Sequence, residues 1–465
     1  MRTLSFFTII IVCFMMTSCN QSGNKVLFDG TDTKKWVTTG NVLTENGILT
    51  LKGNDAQAVL KNGKYKNFEL NLELRTTPGG KGFIAFHTNP SVDKGYRVAI
   101  NNDRNAPVWW KMTGSLLSVR NLTKSFVKEN DWFQMNIRVV DNFVTVAING
   151  EPVVEYIEPA NPYRIAPNQA ALLSEGTFAI TGNGTGDIQI KSITVNVIQP
   201  DETSQNIPEY LAQTTDEQAD DIIKLHQEDF PVLDYHVHVK GGLTNENAVQ
   251  RSRRTGINYA AAPNCGIGFP ITDDAGVMAF LDSMRSKPFI LAMQAEGREW
   301  VTTFSPAVRN EFDYVFTDAL TFTDLKGRRT RLWIPSETWI ENEQKYMDLI
   351  VNVICEVLQE PMDVYVNPCF LPPQMEDRYD EFWTEARMNK FVEAMAKSGK
   401  ALEINARYKI PNKAIIQKAK AAGVKFTFGT NNAGADDLKL LEYCIQMKKE
   451  CGITANDMYK PKIKI

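Results

Sequence analysis

Cysteine and histidine are both scarce in this sequence of 465 residues, which contains seven cysteines and four histidines. Two of the cysteines, Cys13 and Cys19, lie in the apolar N-terminal segment. The others form an odd set without the close pairing of a zinc knuckle, which argues against a disulfide framework and against a cysteine-based zinc site. We expect these five to be buried free thiols: Cys265, Cys355, Cys369, Cys444 and Cys451.

An excess of positive charge is also absent. The formal net charge is -4, and acidic and basic residues are well mixed along the chain. A protein that binds nucleic acid usually carries a basic patch, so no nucleic acid partner is expected. Beyond the N-terminus no apolar run is long enough to cross a bilayer. The length of the chain predicts two or three domains.

The N-terminus has the features of an export signal. Arg2 precedes an apolar run that ends in small residues before Cys19, and this run is too short for a mature transmembrane helix. The stretch Met16-Thr17-Ser18-Cys19 resembles a bacterial lipoprotein box. The resemblance implies a signal peptide at residues 1–19, acylation of Cys19 and a polar tether at residues 20–25. An ordinary secretory signal that contains a cysteine is the alternative. We expect an exported protein, anchored by its lipid to the periplasmic face or the outer surface of the cell envelope.

Residues 26–198 alternate between apolar and polar side chains with a period of two. Residues 68–74 show the alternation clearly, and a later run leads into the turn Asn149-Gly150. Many short strands, each with one buried face and one solvent-exposed face, are typical of an antiparallel β-sandwich. The apolar phase of the last strand shifts near Lys191, which predicts a β-bulge.

The second half of the chain has a different pattern. A polar, acid-rich segment at residues 199–230 is predicted to be a linker with one short helix. In residues 231–465 short apolar strands alternate with amphipathic helices, which favours parallel strands joined by crossovers. Seven such units favour a barrel, although periodicity does not exclude a doubly wound sheet. The strands are predicted near residues 232–238, 258–263, 289–295, 314–319, 364–369, 401–406 and 425–430. The fold class is therefore multidomain, with an all-β concanavalin-like sandwich followed by an α/β seven-stranded barrel.

Every predicted barrel strand ends in polar residues. Side chains from different strands converge at such ends in βα barrels, and catalytic groups are placed there. Asparagine and aspartate are also common at these positions as caps of the next helix, which is a sufficient explanation for Asn264 and Asn432 taken alone. The polar residues at the strand ends are Asp234, His236 and His238; Asn264; Glu296; Asp318; Asn367; Glu403, Asn405 and Arg407; and Thr430, Asn431 and Asn432.

The pattern His236-Val237-His238 suggests a metal site. A period of two places Asp234, His236 and His238 on one face of the first strand, where two imidazoles and a carboxylate can bind one ion. Glu296 and Asp318 end later strands and can complete the ligand set.

Residues 232–459 resemble the polymerase and histidinol phosphatase family of metal-dependent hydrolases. The resemblance rests on the His-x-His pattern and on the segments Gln294-Ala295-Glu296-Gly297, Leu402-Glu403-Ile404-Asn405 and Phe428-Gly429-Thr430-Asn431. It implies a distorted, TIM-like barrel of seven strands in which Glu296 is a metal ligand.

This resemblance includes two departures. Asn264-Cys265 stands where the family has Asp-His, and Thr430-Asn431-Asn432-Ala433 stands where the family has Ser-Asp-Ala-His. A trinuclear site is therefore excluded, and the expected cofactor is one divalent ion, which can be zinc, manganese or iron.

Residues 26–198 resemble the 3-keto-disaccharide hydrolase family, a lectin-like sandwich of exported bacterial proteins of sugar catabolism. The resemblance is carried by Leu27-Phe28-Asp29-Gly30 up to Trp36, Gly82 to His87, Gly95-Tyr96-Arg97-Val98 and the Asn149-Gly150 hairpin. Arg97 stands where an acidic residue is usual, and Ala171-Leu172-Leu173-Ser174-Glu175 lacks the usual histidine. These departures weaken the case for catalysis by this domain more than the case for sugar binding.

Aromatic rings in this half are candidates for sugar binding, because the apolar faces of a pyranose stack on rings. The candidate rings are Trp109, Trp110 and Tyr96, with His87 and Arg97 as polar partners. The alternative is that the two tryptophans are core residues of the sandwich. A saccharide-type small molecule is the expected partner.

Two functions are compatible with the sequence. The first is an exported lipoprotein hydrolase of carbohydrate catabolism, which acts on a glycoside, a 3-keto-glycoside or a related sugar derivative with a metal-activated water. The second is a non-catalytic carbohydrate-binding lipoprotein with a degenerate barrel. For the hydrolase, the metal ligands are His236, His238, Glu296 and Asp234. The candidate catalytic residues are Glu403, Asp318, Arg298 and Arg407, and the candidate substrate contacts in the barrel are Asn367, Asn405 and Asn431.

Overall fold

The computed structural model describes residues 24–199, 206–211 and 216–464. The predicted signal peptide, Cys19 and most of the predicted tether lie outside these residues. Within the described parts of the chain, no helix is long and apolar enough to cross a membrane. The five cysteines predicted to be free thiols are free; three are buried and two are half-buried.

The N-terminal half is an antiparallel sandwich of two sheets. Its strands are β1 Lys25–Phe28, β2 Trp36–Thr39, β3 Val42–Glu45, β4 Ile48–Lys52, β5 Gln57–Leu60, β6 Phe68–Thr76, β7 Lys81–Thr88, β8 Tyr96–Asn101, β9 Phe133–Val140, β10 Phe143–Ile148, β11 Glu151–Ile157, β12 Thr177–Gly182 and β13 Asp187–Val197. The larger sheet has the order β11-β10-β9-β6-β13-β4-β3, with β1 also paired to β13. The smaller sheet has the order β2-β5-β12-β7-β8.

The period of two in the sequence places one face of each sheet in the core. In β6 the side chains of Phe68, Leu70, Leu72 and Leu74 are buried and those between them are half-buried. The predicted bulge is confirmed, because the pairing of β13 with β6 shifts register between Ile190 and Ser192. The sandwich predicted from the alternation is therefore present.

The C-terminal half is a nearly closed barrel of parallel strands. Its strands are β14 Leu233–Val237, β15 Asn258–Ala261, β16 Asn264–Cys265, β17 Ile290–Ala295, β18 Tyr314–Thr317, β21 Val364–Tyr365, β22 Ala401–Asn405 and β23 Phe426–Gly429, with a separate hairpin of β19 Thr321–Thr323 and β20 Arg329–Arg331. The strand order is β14-β15-β17-β18-β21-β22-β23, and β16 pairs with β17. The first and last strands meet where the Asn431 amide donates to the His236 carbonyl at 2.9 Å. This order favours the barrel over the doubly wound sheet.

Helices connect the barrel strands and pack around them. Several begin at a side chain that caps the first turn: Thr244, Thr384 and Asn412 each accept a hydrogen bond from a backbone N–H of the helix that follows. The helices of the described chain are α1 Asp221–Gln227, α2 Asn245–Thr255, α3 Asp274–Met284, α4 Trp300–Thr303, α5 Pro306–Arg309, α6 Glu343–Val357, α7 Tyr379–Phe382, α8 Glu385–Ser398, α9 Lys413–Ala421 and α10 Glu442–Cys451.

The segment between the halves contains the one short helix expected there, α1, and its described residues are packed. The Glu217 carboxylate accepts hydrogen bonds from the Tyr156 hydroxyl at 2.7 Å and from Arg164 Nη1 at 2.9 Å. His226 is fully buried, and its Nε2 lies 2.9 Å from the Gly256 carbonyl oxygen. The segment therefore contacts the sandwich through Glu217 and the barrel through His226, which a loose linker would not do.

The sandwich lies against the floor of the barrel, at the N-terminal ends of its strands. The contact is made by the long connection between β8 and β9. From this connection Lys124 Nζ donates to the carbonyl of Phe289, the residue before β17, at 2.8 Å, and the Asn121 carbonyl accepts from Asn258 Nδ2 at the start of β15 at 2.9 Å. The polar C-terminal ends of the barrel strands therefore lie at the opposite end of the barrel, away from the sandwich.

Candidate functional site

The polar strand ends converge inside the mouth of the barrel. Asp234 and His236 alternate along β14, His238 directly follows it, and all three side chains are buried. Asp234 accepts hydrogen bonds from the Thr430 amide at 3.0 Å, from the Thr430 hydroxyl and from the His236 amide at 3.1 Å. Burial raises the pKa of Asp234 to about 6, although these hydrogen bonds oppose the shift. Asp234 thus ties the first strand to the last.

His236 is held between two side chains from other strands. Its Nδ1 lies 2.6 Å from Glu403 Oε1, and its Nε2 lies 3.1 Å from Gln294 Oε1. Glu403 and His236 are both fully buried. Both ring nitrogens of His236 are therefore engaged by the protein itself.

His238 is engaged in a similar way. Its Nδ1 lies 2.8 Å from the Ala262 carbonyl oxygen, so this nitrogen carries the ring hydrogen. The side chain of Asn431 lies close to the same ring. Burial lowers the pKa of His238 well below its ordinary value, and the imidazole is neutral.

Amide side chains connect the remaining strand ends into one network. Asn405 Nδ2 donates to Glu403 Oε2 and to Asn367 Oδ1, each at 3.0 Å. Asn367 Nδ2 in turn donates to Asp318 Oδ2 at 2.9 Å, and Asn431 Nδ2 donates to Asn367 Oδ1 at 2.8 Å. Residues from the fourth to the seventh parallel strand are thereby joined in one buried cluster.

Glu296 lies nearer the rim and has a different environment. Asn264 Nδ2 donates to Glu296 Oε1 at 2.7 Å, and Lys240 Nζ donates to Asn264 Oδ1 at 3.0 Å. Burial, followed by the nearby charge of Asp318, raises the pKa of Glu296 to about 8. Burial also raises the pKa of Asp318. At neutral pH the two carboxyl groups therefore retain a proton between them.

The two arginines predicted near the mouth have other partners. Arg298 donates to Glu360 Oε1 at 3.0 Å and to Thr317 Oγ1 at 3.0 Å. Arg407 donates to Asp437 Oδ2 at 3.0 Å and lies at the rim, beside a cavity of about 400 Å³. Arg298 thus supports β18 with 24% of its side chain exposed, whereas Arg407 is more open to solvent at the rim.

The predicted metal site is not formed by these residues. Among the described residues, no group of three or more histidine, cysteine, aspartate or glutamate side chains is arranged to hold an ion. The reason is that hydrogen bonds occupy predicted ligands: Gln294 contacts His236, Asn264 contacts Glu296, and the Thr430 amide donates to Asp234. The residues present do not fit the divalent ion that the sequence predicts, so no step of the chemistry is assigned to it.

The aromatic residues predicted to bind sugar in the sandwich are buried. The Tyr96 hydroxyl donates to Glu158 and accepts from Arg164 at 2.6 Å. Trp109 and Trp110 lie in a turn, not in a strand, and pack with barrel residues in one apolar core. Only 3% and 6% of their surface is exposed, so neither indole offers an open face to a pyranose. The alternative of a core role is the one that the packing supports, although the core is shared with the barrel.

His87 is also an internal residue. Its Nδ1 accepts a hydrogen bond from the Ser174 amide at 3.1 Å, and its Nε2 donates to the Lys66 carbonyl at 2.8 Å. Burial lowers the pKa of His87 to about 4. Its two nitrogens are thus committed to the backbone.

A groove of about 300 Å³ lies on the outer face of the smaller sheet. Its walls include Lys81, Phe83, Asn101 and Asn183. Arg97, the one predicted sugar-binding residue beside it, places its guanidinium 4.8 Å from the centre of the Phe83 ring.

The sequence contains signals for the two most important residues that were missed. Phe83 alternates with the buried Ile84, so the period of two assigns it to the outer face. Gln294 is two residues before Glu296 and so points into the same barrel. Neither signal identifies the partner of the side chain.

Comparison with known proteins relates the first half of the chain to a family. Residues 23–196 match the family model of the 3-keto-alpha-glucoside-1,2-lyase-like domain. No curated protein matches the chain.

Several solved structures resemble part of the chain. A protein from Parabacteroides distasonis assigned as a glycosyl hydrolase is 17% identical, with 38% of this chain and 95% of that chain covered and a TM-score of 0.34. The carbohydrate-binding module CBM66 from Bacillus subtilis is 11% identical, with 35% and 95% covered and a TM-score of 0.27. The mannose-bound lumenal domain of VIP36 is 11% identical, with 40% and 93% covered and a TM-score of 0.30.

Proposed function

We propose that this protein is an exported, lipid-anchored, carbohydrate-binding protein whose sandwich holds a saccharide in the groove on its smaller sheet. The observation that carries the proposal is the match of residues 23–196 to the 3-keto-alpha-glucoside-1,2-lyase-like domain. The lipid anchor is Cys19, and a Cys19→Ser chain is expected to lose its association with membranes. A variant that still partitions with membranes would contradict the anchor alone.

The chemistry of the groove supports binding of a neutral sugar. The Phe83 ring offers an apolar surface on which the C–H face of a pyranose can stack. Asn183 is exposed and carries a donor and an acceptor for hydroxyl groups. Lys81 is paired with Asp103 at 3.1 Å, which reduces the net charge at this end of the groove.

A second candidate function is cleavage of the sugar in the barrel. The observation that favours it is the burial of Glu296 and Asp318, which raises the pKa of both carboxyl groups and so favours their protonated forms. A keto group at C3 acidifies the C–H bond at C2, so a base can remove that proton while the C1–O bond breaks. An acid then protonates the leaving oxygen. The two carboxyl groups can supply the base and the acid without a metal-bound hydroxide.

Calorimetry on the mature chain with disaccharides and their 3-keto forms tests the binding function. We expect Phe83→Ala to weaken binding by about tenfold or more, because the stacking surface is lost. Trp132→Ala is the matched control, since this ring stacks with Arg75 and Lys191 on the other sheet. Failure of every sugar to bind the wild-type chain would refute the proposal.

The same sugars test the second candidate function, which is cleavage of the sugar in the barrel. If the barrel cleaves one of them, Glu296→Gln is expected to reduce kcat by roughly 10²-fold to 10⁴-fold. Glu299→Gln is the control, because this carboxylate lies just beyond the network and is half exposed. Binding without any product from the wild-type chain would leave the binding function and remove the catalytic one.

A further inference from the structure

We propose that the barrel is metal-independent because amide side chains have taken the bonding positions that an ion would occupy. This inference concerns the second half of the chain and goes beyond the saccharide function proposed for the first half. It accounts for a set of contacts that would otherwise be unrelated, since the predicted ligands His236 and Glu296 are each hydrogen-bonded to an amide side chain.

The two imidazoles are the first part of the argument. A metal ion binds the unprotonated nitrogen of a neutral imidazole. In His236 both nitrogens already have partners, Glu403 at 2.6 Å and Gln294 at 3.1 Å. In His238 one nitrogen faces the Ala262 carbonyl, and Asn431 lies close to the ring. His236 therefore has no free nitrogen for an ion, and His238 has at most one.

The carboxylates are the second part. Asn264 donates to Glu296 at 2.7 Å, Asn367 donates to Asp318 at 2.9 Å, and Asn405 donates to Glu403 at 3.0 Å. An amide NH₂ group supplies the donors that a buried carboxylate needs when no cation is present. Amide side chains therefore serve the carboxyl groups at the ends of the third, fourth and sixth parallel strands.

The packing around Gly429 is the third part. A Cβ atom at this position would lie 2.2 Å from Glu403 Oε1 and 2.8 Å from the Cβ atom of His236. The backbone of β23 is thus in close contact with the side chains of His236 and Glu403. The space beside this pair is filled by the protein.

Elemental analysis of the purified full chain tests the inference, together with thermal unfolding in zinc, manganese, iron(II) or a chelator. We expect clearly less than about one ion per chain and a Tm that these additions move by no more than about 1 °C. A wild-type chain that holds about one ion, which the double change His236→Gln with His238→Gln removes, would overturn it.

A second variant asks whether the amides are what excludes the ion. The double change Gln294→Glu with Asn431→Asp keeps the shape of both side chains and replaces each neutral amide by a carboxylate, which can bind a cation. We expect this chain to take up about one zinc ion and to gain Tm on zinc addition. A folded variant that takes up no zinc would overturn the role given to the amides. If the variant does not fold, the wild-type measurement decides. Because metal content is the readout, the result does not depend on whether the sandwich binds sugar.

Discussion

His87 shows how burial fixes the state of a single side chain. The Ser174 amide donates to one ring nitrogen and the other donates to the Lys66 carbonyl, so one neutral tautomer satisfies both groups. A second proton would have to displace the Ser174 contact in a site that is 1% exposed. The lowered pKa of His87, about 4, follows from this burial.

Acid should therefore destabilise the fold through His87. The unfolded chain takes up a proton near pH 6.5 and the folded chain only near pH 4, so the contribution is present above 6.5 and is lost as the pH falls towards 4. We expect the stability difference between the wild type and His87→Gln to shrink by about 1.4 kcal/mol per pH unit across this range. Denaturant unfolding at several pH values measures the difference. Ser174→Ala is the control, and its difference from the wild type should stay constant. A constant difference for His87→Gln would contradict the account.

The β10–β11 hairpin is the element whose turn the sequence predicted most directly. Asn149 and Gly150 have φ angles of 51° and 86°, the positive values that a two-residue type I′ turn requires. Nothing in the described chain lies within 4 Å of a Cβ atom built on Gly150, so a substitution there acts through the backbone alone.

Gly150→Ala is therefore expected to destabilise the protein by about 1 kcal/mol, because alanine disfavours a positive φ angle. Asn149→Asp is the matched variant and should change the stability by less than about 0.5 kcal/mol, since aspartate also tolerates a positive φ angle and keeps an oxygen that can accept from the Gln134 amide. Equilibrium unfolding in guanidinium chloride measures both. Equal losses in the two variants would argue against a backbone origin.

The elements were more predictable than the contacts between them. The period of two located the sandwich strands, and the repeating strand and helix pattern located the seven parallel strands of the barrel. Their polar ends follow from the same pattern, which correctly placed Asp234, His236 and Glu403 inside the mouth. Periodicity gives the direction of a side chain, but not the residue it meets. Gln294 reaches His236 across 58 positions of sequence, and no local pattern encodes that contact.

The same limit explains the tryptophans. A strand assignment for residues 109 and 110 allows one ring to face outward, whereas the chain forms a turn there and buries both. The partner surface is supplied by the barrel and by the segment before it, more than a hundred positions later, as in the contact of Trp110 Nε1 with Asp229 Oδ1 of that segment at 3.1 Å. A pattern within one domain does not reveal a core that two domains share.

At the scale of the whole molecule, the connection between β8 and β9 joins two domains into one stable unit. It carries Trp109 and Trp110 into the barrel core and places the buried Lys124 ammonium on the Phe289 carbonyl. Cutting the chain after residue 198 would expose both indoles and leave Lys124 without this acceptor. Buried groups that lose their partners are costly.

We therefore expect the wild-type chain to unfold in one transition, followed equally by tryptophan fluorescence and by far-ultraviolet circular dichroism. A fragment of residues 26–198 should be less stable and prone to aggregate, whereas a fragment of residues 26–230 should recover part of the loss through α1 and Glu217. Differential scanning calorimetry of the three chains provides the measurement. Two separate transitions in the wild type, or equal stability of the two fragments, would show that the domains are independent.

The connection between β8 and β9 also limits whether recombination can separate the two domains. Ala106, Pro107 and Lys111 line the groove of the sandwich, while Trp109 and Trp110, within the same turn, belong to the core above the barrel floor. A recombination event that moved the sandwich alone into another gene would remove Trp109 and Trp110 from the core that they share with the barrel. The two halves are therefore expected to occur together in homologous proteins. A sandwich domain found without this barrel should have polar residues in place of the two tryptophans.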